Sequence, residues 1–174
     1  PFREGKGTTF EGGVRVPFIV RWPGVVKPGT RTEALAANID VVPTVVEACR
    51  AAPPKLPIDG QSFLPLLKGE KTVARDSFAY YYGDRLEAVR QGKWKLHLPH
   101  AYRSYVDMVP AKRDGLPATT HQRQLGLSLY DLEADPGETQ DVAAAHPQVV
   151  KALQELAAAE RQKLDAGKRP VGRL

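Results

Sequence analysis

Three short strand-like runs joined by two-residue turn signals constrain this chain more than any other feature. Ser77–Tyr82, Leu86–Arg90 and Lys93–Leu98 are aromatic-rich or alternating, and Gly83-Asp84 and Gln91-Gly92 stand between them. Glycine in such a pair supplies the positive φ that tight hairpins need, so the spacing predicts an antiparallel meander. Leu127–Leu132 is a fourth strand candidate, followed by the turn Ala134-Asp135-Pro136-Gly137. His146–Leu164 places Val149, Val150, Leu153, Leu156, Ala157 and Leu164 on one face, with Pro147 in the first turn, which predicts a helix that covers the sheet.

The first half of the chain reads differently. Val14–Trp22 is β-branched and aromatic and predicts a strand ended by Pro23-Gly24; Pro17 within it argues for an edge or an irregular start. Asn38 or Asp40 can cap a helix running to about Ala51, with Val41, Val42, Val45, Val46 and Cys49 as its apolar face. On that face Cys49 is expected to be a packed thiol. Ala52–Asp59 holds three prolines and reads as a linker-like loop, and Ser62–Leu67 as a short helical turn. Residues 101–125 are polar and basic, with Pro110, Gly115 and Pro117, and read as a long irregular loop of a kind that is usually functional or disordered.

Composition narrows the function classes. One cysteine in 174 residues excludes an internal disulfide framework and any multi-cysteine zinc or iron–sulfur site. No apolar run approaches the roughly 18 residues of a membrane span. The net charge is +5, and residues 1–32 carry six Lys/Arg against two Glu. These cations form no run and no basic helix face, and the aromatics follow no RNA-binding pattern. Neither nucleic acid nor membrane is expected, and a small or polymeric anion is the better partner.

The densest segment is Gly5-Lys6-Gly7-Thr8-Thr9-Phe10-Glu11-Gly12-Gly13-Val14-Arg15-Val16-Pro17. Four glycines among residues 5–13 permit close backbone approach or positive φ. A lysine between two of them presents a compact point charge suited to a phosphate or sulfate oxygen. The segment fails both phosphate-loop patterns: Gly5-Lys6 is followed by Gly7 instead of Ser or Thr, and Phe10 stands where a dinucleotide fingerprint needs Gly. Taken alone, it is either an anion-contacting loop or a glycine-rich connector.

The whole string resembles the sulfatase family of the alkaline-phosphatase-like superfamily, whose active-site lysine lies in a G-K-x-T-x-[FWY]-E-G-G-x-R-x-P segment. Further motifs follow in order: Trp22-Pro23-Gly24, Asp40-Val41-Val42-Pro43-Thr44, Ile58-Asp59-Gly60-Gln61-Ser62, Gly92-Lys93-Trp94-Lys95-Leu96, and Leu129-Tyr130-Asp131-Leu132 with Asp135-Pro136-Gly137-Glu138. Tyr80-Tyr81-Tyr82-Gly83-Asp84 is closest to the branch holding arylsulfatase A and N-acetylgalactosamine-6-sulfatase. The resemblance implies an α/β fold with two parts. Residues 1–73 would close a large mixed α/β catalytic domain, and residues 74–174 would form a small C-terminal subdomain, the four-stranded antiparallel sheet with its helix.

It also implies chemistry. In the family a formylglycine hydrate made from Cys or Ser attacks the sulfur of a sulfate ester, calcium polarises the sulfate, and Lys and His residues neutralise its oxygens. Lys6 matches the lysine that touches the sulfate and the leaving oxygen. His100 and Arg103 are candidate contacts to the substrate's sugar or aryl group, and Glu11 with Arg15 a pair that braces the loop. The modifiable Cys/Ser-x-Pro-Ser-Arg motif and the paired calcium carboxylates do not occur in this sequence. Cys49 is followed by Arg50-Ala51-Ala52-Pro53, and no residue here is a metal ligand candidate. Asp131, Glu133 and Asp135 imitate a calcium loop, but Val142 stands where its bidentate Glu belongs, so they read as a turn.

The chain is therefore expected to be the C-terminal part of a longer sulfatase. Nucleophile and calcium ligands would lie in the N-terminal remainder, the parent would be periplasmic or secreted, and the piece alone would be inactive. Two alternatives stand beside it: a non-catalytic module that binds sulfated glycan, and a phosphate or phosphonate ester hydrolase of the same superfamily.

Overall fold

The computed structural model describes residues 2–72, 75–109 and 118–167. Six strands form: β1 Ser77–Tyr82, β2 Arg85–Gln91, β3 Trp94–His97, β4 His100–Val109, β5 Thr119–Leu125 and β6 Ser128–Asp131. The helices are α1 Glu11–Val14, α2 Val41–Ala48, α3 Leu64–Leu67 and α4 Pro147–Gly167. Contacts divide the chain into two units, one of residues up to Val16 together with those from Phe78 onward, the other Pro17–Ser77. The expected boundary at 73/74 lies close to the second junction. The first sixteen residues, however, are grouped with the C-terminal unit and not with the residues that follow them.

The predicted meander is present. β1, β2, β3 and β6 form one sheet in that order. Strands β2 and β3 pair antiparallel with Val89 opposite Leu96, and β3 and β6 pair with Leu96 opposite Leu129. Side chains alternate between faces along a strand, so these three residues line one face. There they meet Leu86 of β2 and Leu153 and Ala157 of α4 in one buried apolar cluster. The other face carries Lys95 and His97 of β3, paired with Tyr130 and Ser128 of β6. One side of the sheet is thus sealed by a helix and the other carries buried charge.

The long loop expected at 101–125 is instead a second, two-stranded sheet of β4 and β5, with Tyr102 opposite Arg123 and Ser104 opposite His121. Its pattern was readable only on one strand: His100, Tyr102 and Ser104 are buried at period two, whereas β5 (Thr-Thr-His-Gln-Arg-Gln-Leu) has no apolar alternation. Pro110, Gly115 and Pro117 lie outside the described residues.

The strand expected at Val14–Trp22 does not form. Residues 11–14 make a helical turn, and no described strand pairs with residues 15–22. Val16, Phe18 and Ile19 are 74%, 61% and 89% exposed. A strand needs a neighbour to take its N–H and C=O groups, and apolar alternation alone does not supply one.

In the unit Pro17–Ser77, Asp40 is the organising residue. It is fully buried, ends a 3-10 turn from Asn38, and accepts the backbone N–H groups of Ala37 and Gln61, both at 2.8 Å, and both arms of Arg75. Burial opposes its charge, but the guanidinium and the two N–H groups prevail and hold its carboxyl below the usual range. Thr44 of α2 donates to Asp40 O at 2.6 Å and accepts Phe63 N–H at 3.0 Å. The expected apolar face of α2 is split instead, with Val42 and Val45 more than half exposed and Val41 and Val46 half-buried. Cys49, expected in the core, is exposed as well. The helix here is anchored through Thr44, the residue that 3.6 spacing of the valines passes over.

Candidate active-site loop

The glycine-rich segment is seated on the charged face of the small sheet. Its turns are tight. Gly7 has φ +90°, and Thr8 donates both its N–H and its hydroxyl to Gly5 O, at 3.2 and 2.9 Å. Gly12 N–H reaches Arg3 O at 3.0 Å. A Cβ at Gly12 would stand 2.3 Å from Glu4 O and 2.4 Å from Arg3 O, and one at Gly13 would stand 2.2 Å from Thr8 O. These neighbours are backbone atoms and cannot step aside. Gly12→Ala should destabilise the protein by about 1–3 kcal/mol as an overpacked site, whereas Gly126→Ala, which has open space, should stay within about 0.5 kcal/mol. Urea midpoints of the two variants check this.

Beneath the loop lies a fully buried ionic network. Lys95 Nζ sits 2.9 Å from Glu11 Oε1 and 3.1 Å from Glu138 Oε1. His97 Nε2 lies 2.8 Å from Glu138 Oε1, and Glu11 N–H donates to Glu138 Oε2 at 2.6 Å. Glu138 also has φ 51°, a left-handed conformation that costs a non-glycine residue on the order of 1 kcal/mol or more. Phe10 stacks on His97 with centroids 4.6 Å apart, and the Arg3 guanidinium lies 4.2 Å over the Phe10 ring. Arg3 donates to Glu138 O at 2.9 Å, to Tyr102 Oη at 3.2 Å and to Tyr130 Oη at 3.3 Å. Thr9 donates to Glu87 Oε2 at 3.0 Å, and Arg85 clasps the other oxygen of Glu87.

Burial outweighs the pull of Glu138 on His97 and lowers its pKa to about 4, so the ring is neutral at pH 7 and donates from Nε2. Glu138 is shifted the other way: burial opposes its charge, but His97 and Lys95 hold it below the usual carboxylate range. The unfolded His97 binds a proton near its ordinary 6.5 and the folded one does not. Its contribution is therefore complete above pH 6.5 and is lost as pH falls from there toward about 4, by roughly 3 kcal/mol in total. Thermal unfolding of the wild type should fall more steeply between pH 6.5 and 4.5 than that of His97→Gln, which keeps an N–H for Glu138 but cannot titrate. Equal slopes would contradict this.

The expected site residues part company. Lys6 is exposed at the loop apex, and no described residue pairs with its ammonium. Its carbonyl accepts Tyr105 Oη–H at 2.6 Å and Arg103 Nη2–H at 3.3 Å. Arg103 is exposed beside Lys6, so these two expected residues meet. His100 does not join them. It is buried, stacks 5.7 Å from His97, gives Nδ1 to Leu98 O at 2.6 Å and turns Nε2 toward Glu87. Arg15 reaches Glu11 at 3.8 Å from a largely exposed position, while the close partner of Glu11 is Lys95. Lys95 and Glu138 both lie inside motifs the sequence displays, yet carried no assigned role. For Lys95 a charge at an inward position of a strand was the available signal. Among the described residues no group of three His, Cys, Asp or Glu side chains could hold a metal ion.

The described residues thus build a small antiparallel sheet sealed by a helix on one face, with a glycine-rich lysine loop seated on the other. The chain belongs to the sulfatase family: residues 5–107 match the family model for the C-terminal region of N-sulphoglucosamine sulphohydrolase, and residues 73–174 that for the C-terminal region of aryl-sulfatase. Human arylsulfatase A is 39% identical over 94% of this chain and 34% of its own length. The N-acetylgalactosamine-6-O-sulfatase of Bacteroides thetaiotaomicron is 33% identical over 89% of this chain and 29% of its own. A solved sulfatase from Pseudoalteromonas sp. superposes with a TM-score of 0.77 over 98% of this chain and 34% of its own; at 21% identity it speaks to fold alone. The chain thus spans about a third of the length of these relatives. No described helix is long and apolar enough to cross a membrane.

Proposed function

We propose that this chain is the C-terminal part of a sulfatase that hydrolyses aryl or carbohydrate sulfate esters, with Lys6 as the cation that neutralises the sulfate and the leaving oxygen. The observation that carries the reading is the exposed Lys6 ammonium on a loop held by its own turn at Gly5, by Glu138 and by Tyr105. A charge fixed in advance needs no reorganisation when the negative charge develops, which is what makes such groups effective. Arg103 adds a second exposed cation beside it, suited to an anionic or hydroxylated leaving group. The formylglycine nucleophile and the calcium ion would be supplied by the N-terminal remainder, and the parent would be periplasmic or secreted.

The experiment is ester hydrolysis by the full-length parent and by the 174-residue chain. The parent should turn over 4-nitrophenyl sulfate in preference to 4-nitrophenyl phosphate, and the chain alone should turn over neither. A preference for phosphate would move the parent to phosphate-ester chemistry. Sulfate hydrolysis by the isolated chain would overturn the division of labour.

A further inference from the structure

We propose that Tyr105 is a positioning residue for Lys6, acting on its peptide group and not on substrate; the proposal rests on the reading of Lys6 given above. Strand β4 grips three consecutive residues of the loop. Glu4 accepts Ser104 Oγ–H at 2.8 Å on one carboxylate oxygen and Tyr105 N–H at 2.7 Å on the other. Gly5 faces the Tyr105 ring so closely that a Cβ there would stand 3.6 Å from two ring carbons. The Tyr105 hydroxyl then caps the Lys6 carbonyl at 2.6 Å. The loop backbone enters the left-handed region at the first gripped residue, Glu4 with φ 60°, and again just past the last, at Gly7 with φ +90°. Gly7 is itself held under Arg103, whose Nη2 a Cβ would meet at 2.7 Å.

The strand is built to aim that hydroxyl. Pairing between β4 and β5 is regular through Ser104 opposite His121 and shifts register before Val109 opposite Thr119. Tyr105 is the first residue past the regular ladder and lies two positions on from Arg103, so the alternation of the strand turns both side chains toward Lys6 O. A lysine side chain has four rotatable bonds, so its charge is directed only as well as the backbone that carries it. Without the hydroxyl the Lys6 carbonyl keeps the longer bond from Arg103 Nη2 at 3.3 Å, which holds its peptide less firmly, and small misplacements of a catalytic group are costly in rate.

The test is a double-mutant cycle in the full-length parent with 4-nitrophenyl sulfate, with Tyr105→Phe and Lys6→Ala made singly and together. Tyr105→Phe should lower kcat about tenfold, in line with one lost hydrogen bond, leave KM within about twofold and leave thermal unfolding unchanged. In the Lys6→Ala background the same change should cost nothing further, because the group it positions is gone. Wild-type kcat in Tyr105→Phe, with Lys6→Ala strongly impaired, overturns the positioning role alone. So does a tenfold loss that persists in the double variant, or a fall in kcat matched by a fall in unfolding temperature. Unimpaired turnover in Lys6→Ala instead removes the lysine from the site and takes this role with it.

Discussion

Replacing Lys6 by Ala in the full-length parent should cut kcat for sulfate-ester hydrolysis by roughly 10²–10³, the loss that follows removal of one preorganised charge-stabilising donor. The protein should stay folded. No described residue depends on the Lys6 ammonium, and an exposed substitution of this kind stays within about 0.5 kcal/mol. Activity and stability therefore separate cleanly at this position. Lys6→Arg should recover little, because a planar guanidinium neither matches the compact ammonium nor fits a loop that already has Arg103 against the neighbouring Gly7. Turnover near the wild-type value in Lys6→Ala would show that the exposed cation is surface charge and nothing more.

The second large effect belongs to the network underneath. Lys95→Met removes the cation that bridges Glu11 and Glu138 and leaves two fully buried carboxylates, Glu11 with Arg15 still at 3.8 Å. Breaking a buried ion pair from one side costs about 3–5 kcal/mol, since the partner's charge is stranded. Glu138→Gln should cost less, because the amide oxygen still accepts Glu11 N–H, the amide NH2 can donate to Nε2 of His97 in its other neutral tautomer, and Lys95 keeps Glu11. The order Lys95→Met below Glu138→Gln below wild type, read from urea unfolding of the parent, is the expected result. The reverse order would mean that hydrogen bonding at Glu138, and not charge pairing at Lys95, seats the loop. Both variants should also lose turnover in proportion to the loop's displacement, although neither residue is near enough to the surface to meet a substrate.

The sheet of β1, β2, β3 and β6 and the helix α4 were legible because each is written in local chemistry. Turn glycines mark Gly83 and Gly92, and period 3.6 marks Leu153 and Ala157. Lys6 was legible as a motif. What the sequence did not show is tertiary. Residues 15–22 have strand composition but no described partner, so composition outran pairing. β5 has pairing without composition. His100 looked like a surface ligand because it borders a polar stretch, yet the alternation His100, Tyr102, Ser104 turns it inward. Cys49 and the valines of α2 looked like core, while the actual anchor is the hydroxyl of Thr44. Glu138 was hidden for a different reason: its partner Glu11 is 127 positions away, beyond any window in which periodicity operates.

That distance sets an order of events during synthesis. The lysine segment leaves the ribosome well before Glu138, but its seat is completed only when Glu138 has emerged, and contacts of such long sequence separation form late. Until then the glycines leave the segment with the broadest choice of backbone conformations in the chain. A nascent chain stopped short of Glu138 would carry every atom of the lysine and none of its aim. Premature termination between residues 100 and 138 is thus expected to abolish the function of a residue encoded almost a hundred codons or more upstream, without altering it.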